Sequence, residues 1–115
     1  MKIIIAGSRE VTDYNLILEA VRKSEFDISE VVSGNARGVD KLGERYATEN
    51  NIDLKIFPAD WDRYGKRAGY IRNSEMGEYA DGLIAIWDGK SKGTKYMIDI
   101  IDNNKKLLYI LMAKG

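Results

Sequence analysis

The chain has 115 residues, 44% hydrophobic and 31% charged, a balance that supports one compact domain with a real core and argues against both disorder and a two-domain enzyme. Eighteen basic residues offset eighteen acidic ones, so the whole-chain electrostatic footprint of a duplex-binding protein is missing. Histidine and cysteine are both absent, which removes zinc sites built on them, cysteine nucleophiles, disulfides, Ser-His-Asp triads and histidine acid–base catalysis.

In chain order, residues 2–6 form the first apolar run, read as a strand and too short for a signal-peptide core. Thr12 or Asp13 then offers an N-cap to a helix carrying Leu16, Ile17, Ala20 and Val21 on one face. Residues 30–33 read as a second strand, and Val39, Leu42, Tyr46 and Ala47 mark a second helix. The third strand, 54–57, ends at Pro58, the only proline, where the chain must leave the sheet through its longest connection, 58–65. A third helix is expected over about 65–79, with Ala68, Ile71, Met76 and Tyr79 as its buried stripe. Residues 83–87 form the fourth strand, and Thr94, Met97, Ile98 and Ile101 follow the spacing of an amphipathic helix. The closing strand, 107–112, is too short to span a bilayer, so a cytoplasmic protein is expected.

The runs at 3–6, 83–87 and 107–112 are nearly continuous rather than alternating, as in parallel strands covered on both faces. Alternating strands and helices then predict a three-layer α/β sandwich around a parallel sheet of about five strands, in order 3-2-1-4-5, formed by 1–115 as a single domain.

In such a sheet ligands bind beyond the carboxyl ends of the strands. There the sequence reads Gly7-Ser8-Arg9 after the first strand, Ser33-Gly34-Asn35-Ala36-Arg37-Gly38-Val39-Asp40 after the second, and Trp87-Asp88-Gly89-Lys90-Ser91-Lys92-Gly93-Thr94 after the fourth. Glycine lets backbone approach a ligand, and free N–H groups at a helix start attract anions, so the three loops together suggest a phosphate or nucleotide cradle. Any single loop has a plainer explanation, because strand-to-helix turns need glycine and capping residues anyway. Neither a Gly-x-Gly-x-x-Gly dinucleotide fingerprint nor a P-loop is present. A metal, if used, would be a hard ion, with Mg²⁺ carried on a phosphate-bearing ligand the favoured form; no protein-held metal or required cofactor is expected. A second cluster, Arg63, Lys66, Arg67 and Arg72 interleaved with Trp61, Tyr64 and Tyr70, suits clamping a phosphate and stacking on a base, or simply a solvated helix face.

At these loops the sequence resembles the SLOG superfamily, the Rossmann-like group of DprA-type DNA-processing proteins and LOG-type nucleotide phosphoribohydrolases, and within it the small YspA-like branch. Gly7-Ser8-Arg9 and the 33–40 segment are similar to the DprA-type signatures, while Arg72-Asn73-Ser74-Glu75-Met76 and Ala80-Asp81-Gly82-Leu83-Ile84-Ala85 are similar to a LOG stretch. The resemblance implies a Rossmann-like fold and a nucleotide-type ligand held by Gly7, Ser8, Arg9, Ser33, Gly34, Ala36, Gly38, Asp40, Arg72, Asn73, Asp88, Gly89, Ser91, Gly93 and Thr94. The LOG signature continues to a catalytic glutamate, whose place here is taken by Met97, and Asn73 replaces the lysine beside the arginine. Asp99 lies about 200° around the helix from that place and does not substitute.

The leading expectation is therefore a domain that binds a nucleotide or nucleotide-derived small molecule, as a sensor or as an enzyme of undetermined reaction. A rival is N-glycosidic hydrolysis of nucleoside monophosphates, with Arg72, Asp40 and Asp88 as the catalytic candidates. Another is single-stranded nucleic-acid binding through Arg9, Arg37, Arg63 and Arg67, against which zero net charge counts. No membrane partner is expected, and an exposed helix face leaves room for a homo-oligomer.

Overall fold

The computed structural model describes residues 1–113. Strands β1 (Lys2–Gly7), β2 (Glu30–Ser33), β3 (Asp53–Ile56), β4 (Gly82–Trp87) and β5 (Leu107–Met112) alternate with helices α1 (Tyr14–Ser24), α2 (Val39–Glu49), α3 (Trp61–Tyr64), α4 (Ala68–Tyr79) and α5 (Lys92–Asn103). The five strands form one sheet, β3-β2-β1-β4-β5, with every neighbouring pair parallel. The expected architecture and strand order are both observed.

The reason for the continuous apolar runs is visible in the pleat, which sends successive side chains to opposite faces. Ile3 and Ile5 of β1 and Ile84 and Ile86 of β4 join Ile17, Ala20, Val39 and Ala47 in a core under α1 and α2. Ile4, Ala6, Leu83 and Ala85 join Met76, Met97, Ile98 and Ile101 in a second core under α4 and α5. The central strands thus have no solvent face. β5 differs: it is an edge strand, and its Leu107, Ile110 and Met112 are exposed, so its unbroken apolar run does not report burial on both faces.

The helix starts follow local chemistry. Asp13 caps α1, its carboxylate accepting from the Asn15 amide at 3.0 Å, and Ser91 caps α5 by accepting from the Thr94 amide. The expected third helix is observed as α4, which begins three residues later than expected, and an additional turn, α3, forms within the connection before it. Asp60 caps the single turn of α3, Gly65 ends it at a φ of 59°, and a 3-10 turn, Gly65–Arg67, leads into α4. In α4 the buried residues are Ala68, Arg72, Met76 and Gly77, with Ile71 and Tyr79 only half-buried. One charged side chain therefore stands where an apolar stripe was expected.

Gly77 marks the closest approach of α4 to α5, since a Cβ there would collide with Ile100 Cγ2. Alanine favours a helix over glycine by about 1 kcal/mol, whereas overpacking costs about 1–3 kcal/mol. Gly77→Ala is expected to destabilise the protein in urea unfolding, and to do so less in an Ile100→Leu background, which removes the obstructing methyl. A net gain in stability would show that the helices separate freely.

Candidate functional site

Because all five strands run the same way, the loops after β1, β2 and β4 emerge at one edge. Ser8, itself buried, joins them: its carbonyl accepts from the Val11 and Val39 amides at 3.4 and 3.3 Å, and its hydroxyl accepts from the Asp88 amide at 3.2 Å. Gly38 starts α2 at a φ of 76°, pressed against the carbonyls of Ser8 and Arg9 where any Cβ would clash.

Beneath these loops α4 inserts Arg72. Its guanidinium donates through Nη1 to the Gly34 carbonyl and through Nε to Asn73 Oδ1 at 2.9 Å. A Cβ on Gly34 would lie 2.7 Å from Arg72 Nη1 and 3.0 Å from Asp40 Oδ2, so a side chain there would displace one or both charged groups. Asp40, only 6% exposed, reaches back from the first turn of α2 and accepts from the Ala36 amide at 3.2 Å. Burial pushes its carboxyl up to about 6, against the lowering effect of the Ala36 amide and the Arg72 charge. Burial likewise lowers Arg72, with the Asp40 charge opposing and the Arg9 charge adding to the shift. For both partners desolvation outweighs their attraction, and no direct ion pair forms between them.

Two spaces that share lining residues adjoin Arg72. An open cleft of about 390 Å³ is lined by Arg9, Gly34, Asn35, Ala36, Arg37, Pro58, Ala59, Trp61 and Arg72. A chamber of about 70 Å³ lies behind it, between Gly7, Arg9, Ala36, Asp40, Arg72, Asn73, Ser91, Gly93 and Thr94, with Met76 and Met97 as its apolar floor. Arg9, Ala36 and Arg72 belong to both. Among the described residues Arg9 has no hydrogen-bond or ion-pair partner, and the Lys92 and Gly93 amides at the start of α5 have no acceptor.

The structure thus brings Gly7, Arg9, Gly34, Ala36, Asp40, Arg72, Asn73, Ser91, Gly93 and Thr94 around the same two spaces. Five other expected residues lie apart. Ser33 is buried and donates to Glu44 Oε2 at 2.7 Å, and Gly38 is taken up by the contact of loops just described. Ser8 and Asp88 line a different cleft, about 530 Å³, with Glu10, Val11, Thr12, Asp13, Leu16, Met112 and Ala113, and Gly89 turns at a φ of 81° beside Met112. Asp88 spends its carboxylate on its own turn, accepting from the Lys90 and Ser91 amides at 2.8 and 2.9 Å, and these bonds hold its carboxyl below the usual range. It shares no cavity with Arg72, which leaves Asp40 as the one carboxylate on the arginine-lined spaces.

Arg63, Lys66 and Arg67 are exposed and line neither space. Asn35, Pro58 and Ala59 do line the cleft, though nothing in their residue types announces it: a lone proline after a strand reads only as an exit from the sheet. Among the described residues no cluster of three acidic side chains is placed to hold a metal ion, and no helix is long and apolar enough to cross a membrane.

The chain matches the YspA, cpYpsA-related SLOG family over residues 1–64. It is 32% identical over 105 residues to the Gene 61 protein of Mycobacterium phage D29, with 83% of each chain covered. Its fold is similar to that of DNA processing protein A (DprA) from Streptococcus pneumoniae, at a TM-score of 0.80 and 15% identity, over 98% of this chain. The chain spans 50% of the length of that solved chain.

Asp40 gives the site a pH signature. Its carboxyl is raised from the ordinary 3.8 to about 6, so the stability it contributes is fully present below about 4 and is lost as pH rises through about 6, up to roughly 3 kcal/mol. Wild type is therefore expected to lose more stability between pH 4.5 and 7.5 than Asp40→Asn does, measured by urea unfolding. Equal pH slopes would mean that Asp40 titrates normally.

Proposed function

The chain belongs to the YspA, cpYpsA-related SLOG family, and on that premise we propose that it binds a nucleotide or nucleotide-derived ligand in the cleft between Arg9 and Arg72. The observation that carries this reading is charge without an answer. Two guanidinium groups face shared space, one of them buried, and the only carboxylate among the described residues lining it, Asp40, makes no direct ion pair with either. A buried, underpaired cation favours an anion that brings its own charge and hydrogen-bond acceptors, as phosphate does. The Gly93 amide adds a donor on the chamber side, where the start of α5 contributes a favourable dipole. Mg²⁺, where it takes part, arrives with the ligand's phosphates rather than in a site of the protein's own.

Binding is a better-supported role than turnover. Cleavage of an N-glycosidic bond develops positive charge on the ribose, which a nearby carboxylate stabilises. At the place where the resembling enzymes carry that carboxylate, this chain has Met97, 1% exposed and packed in the core. Asp40 is the sole carboxylate left on these spaces, so any base release depends on it. Wild type is expected to release no base from adenosine or guanosine monophosphate, as assayed by chromatography. Robust release that survives Asp40→Asn would contradict this account of the site.

Arg9 gives the cleaner test of binding, because it is exposed and supports nothing else, whereas Arg72 also holds the Gly34 carbonyl. A charge-assisted hydrogen bond contributes roughly 1.5–3 kcal/mol, so Arg9→Ala is expected to weaken adenosine monophosphate about 10- to 100-fold in calorimetric titration while leaving adenosine nearly unchanged. Equal loss for both would show that Arg9 does not meet the phosphate. A second reading, single-stranded nucleic acid, is favoured by the open side of the cleft, where Arg37 and the exposed Trp61 stand. It predicts oligonucleotide affinity that falls steeply with salt, through counterion release.

A further inference from the structure

Resting on the nucleotide reading above, we propose that Trp61 is the base-stacking, specificity-determining residue of this site. The ligand class is then a nucleotide with an open aromatic face, its base on Trp61 and its phosphate at Arg9 and Arg72.

Three aromatic side chains, Trp61, Tyr64 and Tyr70, lie in α3 and the first turn of α4, and their surroundings separate them. Tyr70 packs edge-on against Tyr96, ring centroids 5.0 Å apart and planes at 90°. Tyr64 is half-buried with the Arg63 guanidinium 5.2 Å from its ring centre, and it lines a separate hollow with Asp60 and Glu75. Trp61 faces the arginine-lined cleft, is 54% exposed, and has no aromatic or cationic partner among the described residues. Indole is a costly group to leave in water.

Packing does not explain its position. Helix α3 is a single turn with no buried residue, closed by the Asp60 cap at one end and by the positive φ of Gly65 at the other. It contributes nothing to either core, and what it does is hold Trp61 beside the cleft. Gly69, in the first turn of α4, stands beside the indole. A Cβ there would lie 3.6 Å from Trp61 Cη2 and 4.0 Å from Arg72 Nη2, so the indole and the buried guanidinium flank one bare stretch of backbone. A planar ring on the indole thereby stands within a nucleotide's reach of the anion donors.

The cleft's charge and size agree with that class. Three arginines and no carboxylate line it, and about 390 Å³ suits one nucleotide better than a dinucleotide. Stacking is tolerant of base identity because every base has a π-face. Discrimination at Trp61 is therefore between ligands with a base and ligands without one.

The test compares adenosine monophosphate with ribose 5-phosphate, which carries the phosphate but no ring to stack. Both are titrated calorimetrically into wild type, Trp61→Ala and Trp61→Phe, and indole fluorescence is followed in parallel. Trp61→Ala is expected to weaken adenosine monophosphate about 10-fold and to leave ribose 5-phosphate unchanged. Trp61→Phe should restore most of the lost affinity while abolishing the ligand-induced fluorescence change seen in wild type. Unchanged adenosine monophosphate affinity in Trp61→Ala, or an equal loss for both ligands, overturns the assignment while wild-type binding of ribose 5-phosphate leaves the nucleotide reading standing. Failure of wild type to bind either ligand overturns that reading and the Trp61 assignment with it.

Discussion

The arrangement of this protein's carboxyl edge depends on keeping one guanidinium inside it. Arg72 is 9% exposed, and a charge so removed from water must be met by hydrogen bonds and by an opposing charge. Neighbouring residues answer that demand in part. Asn73 accepts from Nε and the Gly34 carbonyl from Nη1, while Asp40 supplies a facing carboxylate. Position 34 is thereby constrained, since a side chain there would push on both the Arg72 guanidinium and the Asp40 carboxylate that reaches it from the first turn of α2. The answer is incomplete, because Asp40 makes no direct ion pair with Arg72 and the Arg9 charge adds to the positive charge at this edge. The deficit is a physical reason for an anion at this edge.

The sheet makes this possible by division of labour. Its central strands bury both faces and fix the height of the loops, and Ser8 ties the first, second and fourth loops into one unit. Above that unit the edge splits into two clefts of opposite character. One is lined by arginines and an indole; the other carries Glu10, Asp13 and Asp88 beside Leu16 and Met112. Loops that are equivalent in sequence are therefore not equivalent in chemistry. An acidic residue in a glycine-containing strand-end loop is a reasonable catalytic candidate at both 40 and 88, and only the turn geometry separates them: Asp40 folds back under the loop, whereas Asp88 caps its own turn.

Much of the fold was legible because its signals are strong and local. The apolar runs of β1 and β4, and the spacing of Thr94, Met97, Ile98 and Ile101, follow directly from burial on two faces and on one helical stripe. The edge strand misled in the opposite sense, its composition resembling a central strand although Leu107, Ile110 and Met112 reach solvent. The third helix misled for a different reason. Its first three residues form a 3-10 turn after an additional short helix, and Arg72 takes a buried position that apolar periodicity assigns to a neighbour such as Ile71. The glycines at 34 and 38 were visible as unusual, but their cause was not. One makes room for the guanidinium of a helix more than thirty residues away and for the nearby Asp40 carboxylate, and the other for the carbonyls of the first loop. Pro58 and Ala59 join the cleft only through the path of the chain after β3, which no residue pattern encodes.

The central claim, that a phosphate-bearing ligand sits against Arg9 and Arg72, is tested most directly by mapping amide and arginine side-chain nitrogen resonances during titration with adenosine monophosphate. The account predicts shifts concentrated at Gly34, Asn35, Ala36, Gly93 and the Arg72 Nε, around the arginine-lined cleft and the chamber behind it. Shifts confined instead to Val11, Thr12, Asp13 and Ala113, which line the opposite cleft, would contradict it.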